Sequence, residues 1–281
     1  MSQRDTSVVV LGGGPGGYEA ALVAAQLGAA VTMVALEGLG GAAVLTDCVP
    51  SKTLIATSDF LSRFDEPATD MGAINARILG LAAAQSRDIQ ARLETVGVRV
   101  CRGVGRLMSP ARVSVQLDDG ASEELDADIV LVATGSTPRV MDSAIPDGER
   151  ILTWQHIYAL SEVPKRLIVV GSGVTGAELA HAYLGLGSEV VLVSSRERVL
   201  PGEDADAATV IENVFRGRGM QIMNRSRALG VRRVGDGVVV TLEDGREVTG
   251  SHALLAVGSI PTTQDLGLTE AGVVLTESGH V

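Results

Sequence analysis

Aromatic side chains are scarce here: Phe, Trp and Tyr make up 2% of 281 residues, with a single tryptophan, while glycine fills 34 positions. Such a chain is globular and rich in the small residues that tight strand-to-helix turns need. Cysteine is scarcer still, with only Cys48 and Cys101, far apart in sequence. That excludes a disulfide framework and fits a reducing cytoplasm. Positive charge is outnumbered, 23 Lys and Arg against 34 Asp and Glu, for a net charge of -11. Nucleic acid and anionic membrane surfaces repel such a chain, so neither is an expected partner, and the charge favours solubility. No signal peptide is expected, since Met1 to Ser7 is polar and leads straight into a strand. One stretch, Ala20–Leu36, is apolar enough to raise the question of a membrane span. It contains Gln26, Gly28 and Thr32 and begins inside a glycine motif, so a buried helix followed by a buried strand explains it better.

The length suits about two domains. Ser7–Leu11 is a β-branched run that stops at Gly12-Gly13-Gly14-Pro15-Gly16-Gly17. A helix is expected over about Tyr18–Leu27 and a strand over Val31–Leu36. Leu54 to Val96 reads as helix with a break around Asp65–Asp70, a helical hairpin. Val98–Arg102, Arg112–Leu117 and Glu124–Asp126 read as short strands joined by turns such as Asp118-Asp119-Gly120. Ile129–Ala133 is apolar and ends at Thr134-Gly135. Arg139–Glu149, broken by Pro146 and Gly148, reads as a linker. The pattern then restarts. Arg166–Val170 leads into Gly171-Ser172-Gly173-Val174-Thr175-Gly176, a helix over about Ala177–Leu186 and a strand at Val190–Val193. Further strands follow at Gln221–Met223, Val238–Leu242 and Ala253–Val257, the last ending at Gly258. Alternating strands and helices, repeated, predict an α/β fold of two doubly wound, Rossmann-like domains with parallel sheets in three layers, the hairpin inserted in the first.

Both turns read GxGxxG: Gly12, Gly14, Gly17, and Gly171, Gly173, Gly176. The first glycine permits the turn, the second lets a pyrophosphate approach the backbone, and the third lets the helix pack on its strand. The helix N-terminus offers N–H groups and partial positive charge to phosphates. Two such turns, each after a strand and before a helix, predict two dinucleotide sites. A carboxylate at the end of the second strand normally grips the adenosine ribose. Ala35 and Ser194 hold that place, equally far from Gly12 and Gly171, and neither is acidic. Glu37 can substitute in the first repeat. In the second, Ser194-Ser195-Arg196 removes a charge that would repel the 2′-phosphate of NADP and supplies charge-assisted donors. NADPH is therefore expected to be accepted, beside or ahead of NADH; a merely solvated turn bearing Arg196 and Arg198 is the alternative.

The segment Gly40-Gly41-Ala42-Ala43-Val44-Leu45-Thr46-Asp47-Cys48-Val49-Pro50-Ser51-Lys52 resembles the redox-active stretch of the class I pyridine nucleotide–disulfide oxidoreductases, whose pattern is GG-x-C-x4-C-[VI]-P-x-K. Ala133-Thr134-Gly135-Ser136, Val193 through Pro201 and Ala256-Val257-Gly258 with Pro261 extend the resemblance over essentially the whole chain. It departs at the first cysteine of the pair, which is Ala43 here. A thiol lacking that partner cannot form the internal disulfide that relays electrons to lipoamide or glutathione. The altered segment is similar to the actinobacterial subgroup of NAD(P)H:quinone reductases. The resemblance implies FAD in residues 1–148 and NAD(P)H in 149–266, with 267–281 beginning a return to the first domain. It implies hydride transfer from NAD(P)H to flavin, then electron transfer to a quinone-like small molecule.

By the same resemblance Lys52 stands beside the flavin ring and pairs with Glu178, and Cys48 is the cysteine nearest the ring, reactive or a buried spectator. Pro15, Gly16, Gly41, Gly105, Thr134, Gly135 and Ser136 join the first glycines as FAD contacts. Val174, Thr175, Ser194, Ser195, Arg196 and Gly258 join the second as nicotinamide-nucleotide contacts. Cys101 reads as core, and His156, His181 and His252 show neither metal spacing nor a triad partner. In the family, the stretch after Thr276–Val281 returns to the flavin, then forms a dimer domain carrying a His–Glu pair. The expectation is therefore a fragment of a homodimeric protein. A disulfide reductase, a soluble transhydrogenase and a non-catalytic flavin-binding relative remain as other readings.

Overall fold

The computed structural model describes residues 6–64 and 70–281. Most of the polar Met1–Ser7 stretch, and the helix break expected around Asp65–Asp70 except for Asp70 itself, lie outside the described residues. In chain order the elements are β1 (Ser7–Leu11), α1 (Pro15–Gln26), β2 (Ala30–Ala35), α2 (Gly41–Leu45), α3 (Cys48–Leu61), α4 (Met71–Thr95), β3 (Arg99–Ser109), β4 (Arg112–Leu117), β5 (Ser122–Asp126), β6 (Ile129–Val132), β7 (Ser136–Pro138), β8 (Ile151–Thr153), β9 (Arg166–Val170), α5 (Val174–Gly185), β10 (Glu189–Val193), α6 (Ala205–Gly217), β11 (Gln221–Met223), β12 (Ala228–Val234), β13 (Gly237–Leu242), β14 (Glu247–Gly250), β15 (His252–Leu255) and β16 (Ser259–Pro261). They form two compact units.

The first unit comprises Met1–Val49, Gly80–Thr137 and Ile260–Val281. Its sheet has the order β5-β4-β3-β2-β1-β6. The strands β3, β2, β1 and β6 are parallel, whereas β4 and β5 continue antiparallel. Parallel pairing was expected throughout. The sheet departs from it because the Asp118-Asp119-Gly120 turn closes a hairpin, with Gly120 at φ 86°, and a short hairpin can only join antiparallel strands. Val8, Val10 and Met33 face the side covered by α1 and the second half of α4, while Val9, Leu11 and Val34 face Val113, Val115, Leu266 and Leu268. Burial on both faces is why β1 is uninterrupted Val and Leu. Only Val98–Arg102 of β3 was expected, because Gly103 and Gly105 look like breakers. In place they mark close approach: a Cβ at Gly103 would overlap the Gln116 carbonyl, and one at Gly105 would strike the Leu11 side chain.

The second unit comprises Pro50–Leu79 and Pro138–Ser259. Its sheet, β11-β10-β9-β15-β8, is parallel throughout. Leu167, Val169, Val190, Leu192 and Leu254 pack against α5, α6, α3 and the first half of α4. Ile168, Val170, Val191, Ala253 and Leu255 pack against the antiparallel sheet β12-β13-β14. The third layer is thus β-structure. The hairpin expected within the first domain is present as α3 and α4, but α3 from Pro50 and α4 as far as Leu79 belong to this unit, and Leu54, Met71 and Ile78 enter its core. Helix α6 was not foreseen. Its signals are local: Asp204 accepts from the N–H groups of Asp206 and Ala207, both at 3.0 Å, with Asp206 in the first turn and Arg216 in the last, matching the helix dipole. Strand β8 lies just beyond the expected linker, where Asp147 caps a turn by accepting from the N–H groups of Glu149, Arg150 and Ile151. Among the described residues, no helix is long and apolar enough to cross a membrane; Ala20–Leu36 divides into α1 and β2 as expected.

Candidate functional site

In the first unit, strand order reverses beside β1, between β2 and β6. Open α/β sheets bind ligands at such a switch point, off the carboxyl ends of the strands. Gly12 leaves β1 with φ 106°, its N–H donating to Val34 O at 2.8 Å, and a Cβ here would overlap the Ala133 carbonyl. Gly14 caps α1, Pro15 takes the first helical position, and no side chain caps the end and no acid occupies the first turn. The terminus keeps its N–H groups and dipole for an anion. Gly17 packs so closely on Gly12 O that no Cβ fits. Gly41, at φ 55°, lies with its Cα side against Gly14, while a Cβ on Gly16 would meet open space. The Gly40 N–H donates to Gly13 O at 2.8 Å. Thr134 donates from Oγ1 to Thr262 O at 2.6 Å, and the Thr262 N–H donates to Gly135 O at 2.9 Å, fixing that turn beside Ser136. Glu37 is exposed just beyond β2, and Ala35 is buried. Gly105 lies inside β3, where a Cβ would strike Leu11 and press on Val34 and Val113, so packing by itself already demands glycine there.

The second unit repeats the plan at β9. Gly171 has φ 111°, a Cβ on it would overlap the Ala256 carbonyl, and one on Gly176 would overlap Gly171 O. Gly173 caps α5, again with no side-chain cap and no first-turn acid. Beside it lies a cavity of about 140 Å³ lined by Trp154, Gly173, Val174, Thr175, Ala256, Gly258 and Ser259. Trp154 and Ser259 were missed from the sequence; Trp154 is the chain's one tryptophan and follows a strand that was itself unforeseen.

Ser194 also needs correction as a direct nucleotide contact. It is 0% exposed. Its hydroxyl lies 2.7 Å from Ser172 Oγ and accepts from the Arg196 N–H at 3.1 Å. Ser195 and Arg196 are exposed there, as is Glu197, which pairs with Arg225. The loop after β10 is held by Glu212, which accepts from the Val199 N–H at 3.0 Å, Asn224 Nδ2 at 2.8 Å and Arg216 at 2.7 Å. Burial opposes ionisation of Glu212, but these donors outweigh it and hold its pKa below the ordinary carboxylate value.

Lys52, on α3, and Glu178, on α5, stand 126 positions apart in sequence, yet Lys52 Nζ lies 2.7 and 2.8 Å from the two carboxylate oxygens. Ser51, buried at 2% exposure, donates to Glu178 Oε2 at 3.0 Å; nothing in the sequence reading singled it out. The side chains of Lys52 and Glu178 are 56% and 22% exposed. A pair this open contributes roughly 0–1 kcal/mol, so stability alone does not account for it. Cys48 is exposed at the start of α3, and Ala43 lies in α2. Cys101 is buried in β3, and burial pushes its thiol pKa up despite nearby Arg99, as suits a core side chain. The histidines fill local roles. His156 Nδ1 accepts from the Thr153 N–H, His181 meets Asp59 at 3.0 Å, and His252 is 3.0 Å from Arg150.

Over residues 6–281 the chain matches the sequence pattern of the pyridine nucleotide-disulphide oxidoreductases, and it belongs to that family. It is 48% identical to the NAD(P)H dehydrogenase (quinone) of Mycobacterium tuberculosis, over 98% of this chain and 60% of the relative. It is 34% identical to the dihydrolipoyl dehydrogenase of Chlorobaculum tepidum, over 100% of this chain and 64% of that one. Among solved structures, LpdA of Mycobacterium tuberculosis is similar with a TM-score of 0.91 at 49% identity, covering 97% of this chain and 63% of that chain. The flavoprotein disulfide reductase RclA of Escherichia coli, at 22% identity and a TM-score of 0.86, shares the fold over 97% of this chain and 61% of its own. The chain thus spans about 60% of the length of the mycobacterial relative.

Proposed function

We propose that this chain supplies the flavin and nicotinamide portions of an NAD(P)H dehydrogenase whose acceptor is a small quinone-like molecule. Gly12, Gly14, Pro15, Gly16 and Gly17, with Gly41, Thr134, Gly135 and Ser136, would hold FAD. Gly171, Gly173, Val174, Thr175 and Gly176, with Gly258, Ser195 and Arg196, would hold NADPH or NADH. Both cradles suit a diphosphate: a Cβ at Gly16, Gly173 or Gly258 would meet nothing within contact range. A bound flavin supplies the two-electron exchange between nicotinamide and acceptor. The chain contributes position and charge. Lys52 offers an ammonium that favours a reduced, anionic ring, and Glu178, itself held by Ser51, keeps that ammonium in place. Ser195 and Arg196 carry no negative charge toward a 2′-phosphate, which favours NADPH.

Ala43 is the observation that carries the choice of acceptor. A methyl cannot form a disulfide with Cys48, which argues against the disulfide reductase route of the family; the name of the mycobacterial relative supports the same reading. Stopped-flow mixing of the flavin-loaded protein with NADPH or NADH should bleach the flavin, and menadione should restore its colour much faster than thio-NAD. No bleaching with either nucleotide ends the enzymatic reading. Faster recovery with thio-NAD replaces quinone reduction by transfer between nicotinamides. Lys52→Ala should slow flavin reduction about tenfold, the effect of one misplaced charge of roughly 1.4 kcal/mol; an unchanged rate removes Lys52 from the mechanism.

A further inference from the structure

The buried hydroxyl pair of Ser172 and Ser194 joins two parts of the second unit that the nucleotide reading treats separately. Ser172 lies inside the glycine turn, between Gly171 and Gly173. Ser194 ends the strand after the turn's helix. Their oxygens are 2.7 Å apart, and the residues are 4% and 0% exposed. From Ser194 the connections run onward into the exposed loop. Its Oγ accepts from the Arg196 N–H at 3.1 Å, and Arg196 O accepts from the Arg225 N–H at 2.8 Å. From Ser172, the carbonyl accepts from the Leu200 N–H at 2.8 Å, at the far end of the same loop. The Arg196 backbone is therefore pinned on both sides while its guanidinium reaches solvent.

We infer that the Ser172–Ser194 pair mechanically couples the diphosphate-binding turn to the loop that reads the adenosine ribose, so that Ser172 and Ser194 are positioning residues for nucleotide selectivity. The inference rests on the second turn being a nicotinamide-nucleotide site. Its physical basis is that a hydroxyl in this interior has no water to fall back on. Removing either partner leaves the other short of a hydrogen bond, and the turn and loop keep mainly the backbone link from the Leu200 N–H to Ser172 O at the loop's far end. The Ser172 hydroxyl meets the loop only indirectly, through Ser194 and at 3.5 Å from Arg198 O. An effect of Ser172 on 2′-phosphate preference is thus the signature of coupling.

The test is calorimetric titration of NADPH and NADH into the full chain carrying S172A, S194A or both, with the unfolding midpoint of each variant recorded. Each single substitution should weaken NADPH about tenfold, and the pair should cost about the same as either alone, as expected for one shared interaction. S172A should also lower the NADPH-to-NADH affinity ratio about fivefold. Substitutions that only loosen the unit would lower the midpoint and leave that ratio alone. An unchanged ratio in S172A, or losses that multiply in the double variant, overturns the coupling while leaving the nucleotide site intact. Failure of the unsubstituted protein to bind either nucleotide overturns the site and the coupling together. Ser194→Cys, which keeps a weak donor on a somewhat larger atom, should fall between Ser and Ala; an affinity equal to that of S194A counts against the hydrogen bond as the link.

Discussion

At Gly12 and at Gly171 the same obstruction demands glycine: a Cβ would overlap the carbonyl of Ala133 in one unit and of Ala256 in the other. Both turns open onto an uncapped helix with no acid in its first turn. Their surroundings differ. The first turn is backed by a second glycine pair, Gly40-Gly41, whose backbone packs on Gly13-Gly14. The second is backed by buried serines and flanked by a cavity with an indole on its wall. Turn chemistry answers to what every dinucleotide shares, a diphosphate. On the proposed reading, the residues behind the turn are where one nucleotide is told from another.

The largest test separates the two turns. Gly12→Ala should abolish flavin retention, read as flavin absorbance per chain, and leave quenching of Trp154 fluorescence by NADPH intact. Gly176→Ala should do the reverse. A backbone overlap with a neighbouring carbonyl costs about 3 kcal/mol or more, as other severe backbone strain does. If either substitution removes both ligands, the two turns are not independent sites. Next in size is a pH effect confined to the second unit. Burial first, and Arg150 second, lower the His252 pKa from 6.5 to about 4. The unfolded chain takes up that proton before the folded one, so this contribution is complete above about pH 6.5 and is lost as pH falls toward 4. The loss is roughly 2 kcal/mol, below the full value of about 1.36 kcal/mol per unit because solvent reaches part of the imidazole. Urea unfolding monitored by Trp154 should show it, and His252→Asn should flatten the slope; an unchanged slope assigns the acid sensitivity elsewhere.

Arg196→Ala should weaken NADPH about fivefold and NADH little, the worth of one exposed charge-assisted contact of roughly 1 kcal/mol. Equal losses for both nucleotides would deny it a role at the 2′-phosphate. The smallest expected effect is at Glu37, exposed beyond β2. Glu37→Ala should weaken flavin retention about twofold, since a single solvated carboxylate gives only a few tenths of a kcal/mol. A larger loss would make the first unit's ribose grip as specific as the second's.

Much of the fold was legible where one period of sequence carries one element. β1 and β9 fall where the apolar runs place them, because strands buried on both faces read as unbroken Val, Ile and Leu; β4 was legible from its alternation of buried and exposed positions. The glycine turns were legible because their constraint is local. Elements whose reason is remote were not. The length of β3 depends on Gly103 and Gly105 fitting under neighbours that another part of the chain supplies. β8 is short and is held by β15, a strand far along the chain; β14 is short and pairs with its hairpin neighbour β13. α6 was overlooked although its cap is local.

The Lys52–Glu178 meeting was anticipated by resemblance, and no spacing rule could have supplied it. Ser51 escaped notice because a serine beside a lysine carries no signal until the carboxylate beneath it is in place. Ser194 was assigned to the ligand because its position in the motif is that of a ribose contact. Folding turned its hydroxyl inward to Ser172.

The sequence by itself determined the two paired turns, because strand, glycines and helix are contiguous and their geometry is set within one stretch of chain. It determined the family and the missing first thiol at Ala43 as well, since each is written in a short segment. Only the tertiary structure decided which hydroxyls face ligand and which face each other. It also decided that Trp154 borders the second turn and that a side chain at Gly105 would strike Leu11. Those outcomes depend on side chains brought together from distant segments, where burial and unmet hydrogen bonds, and not local preference, set the orientation.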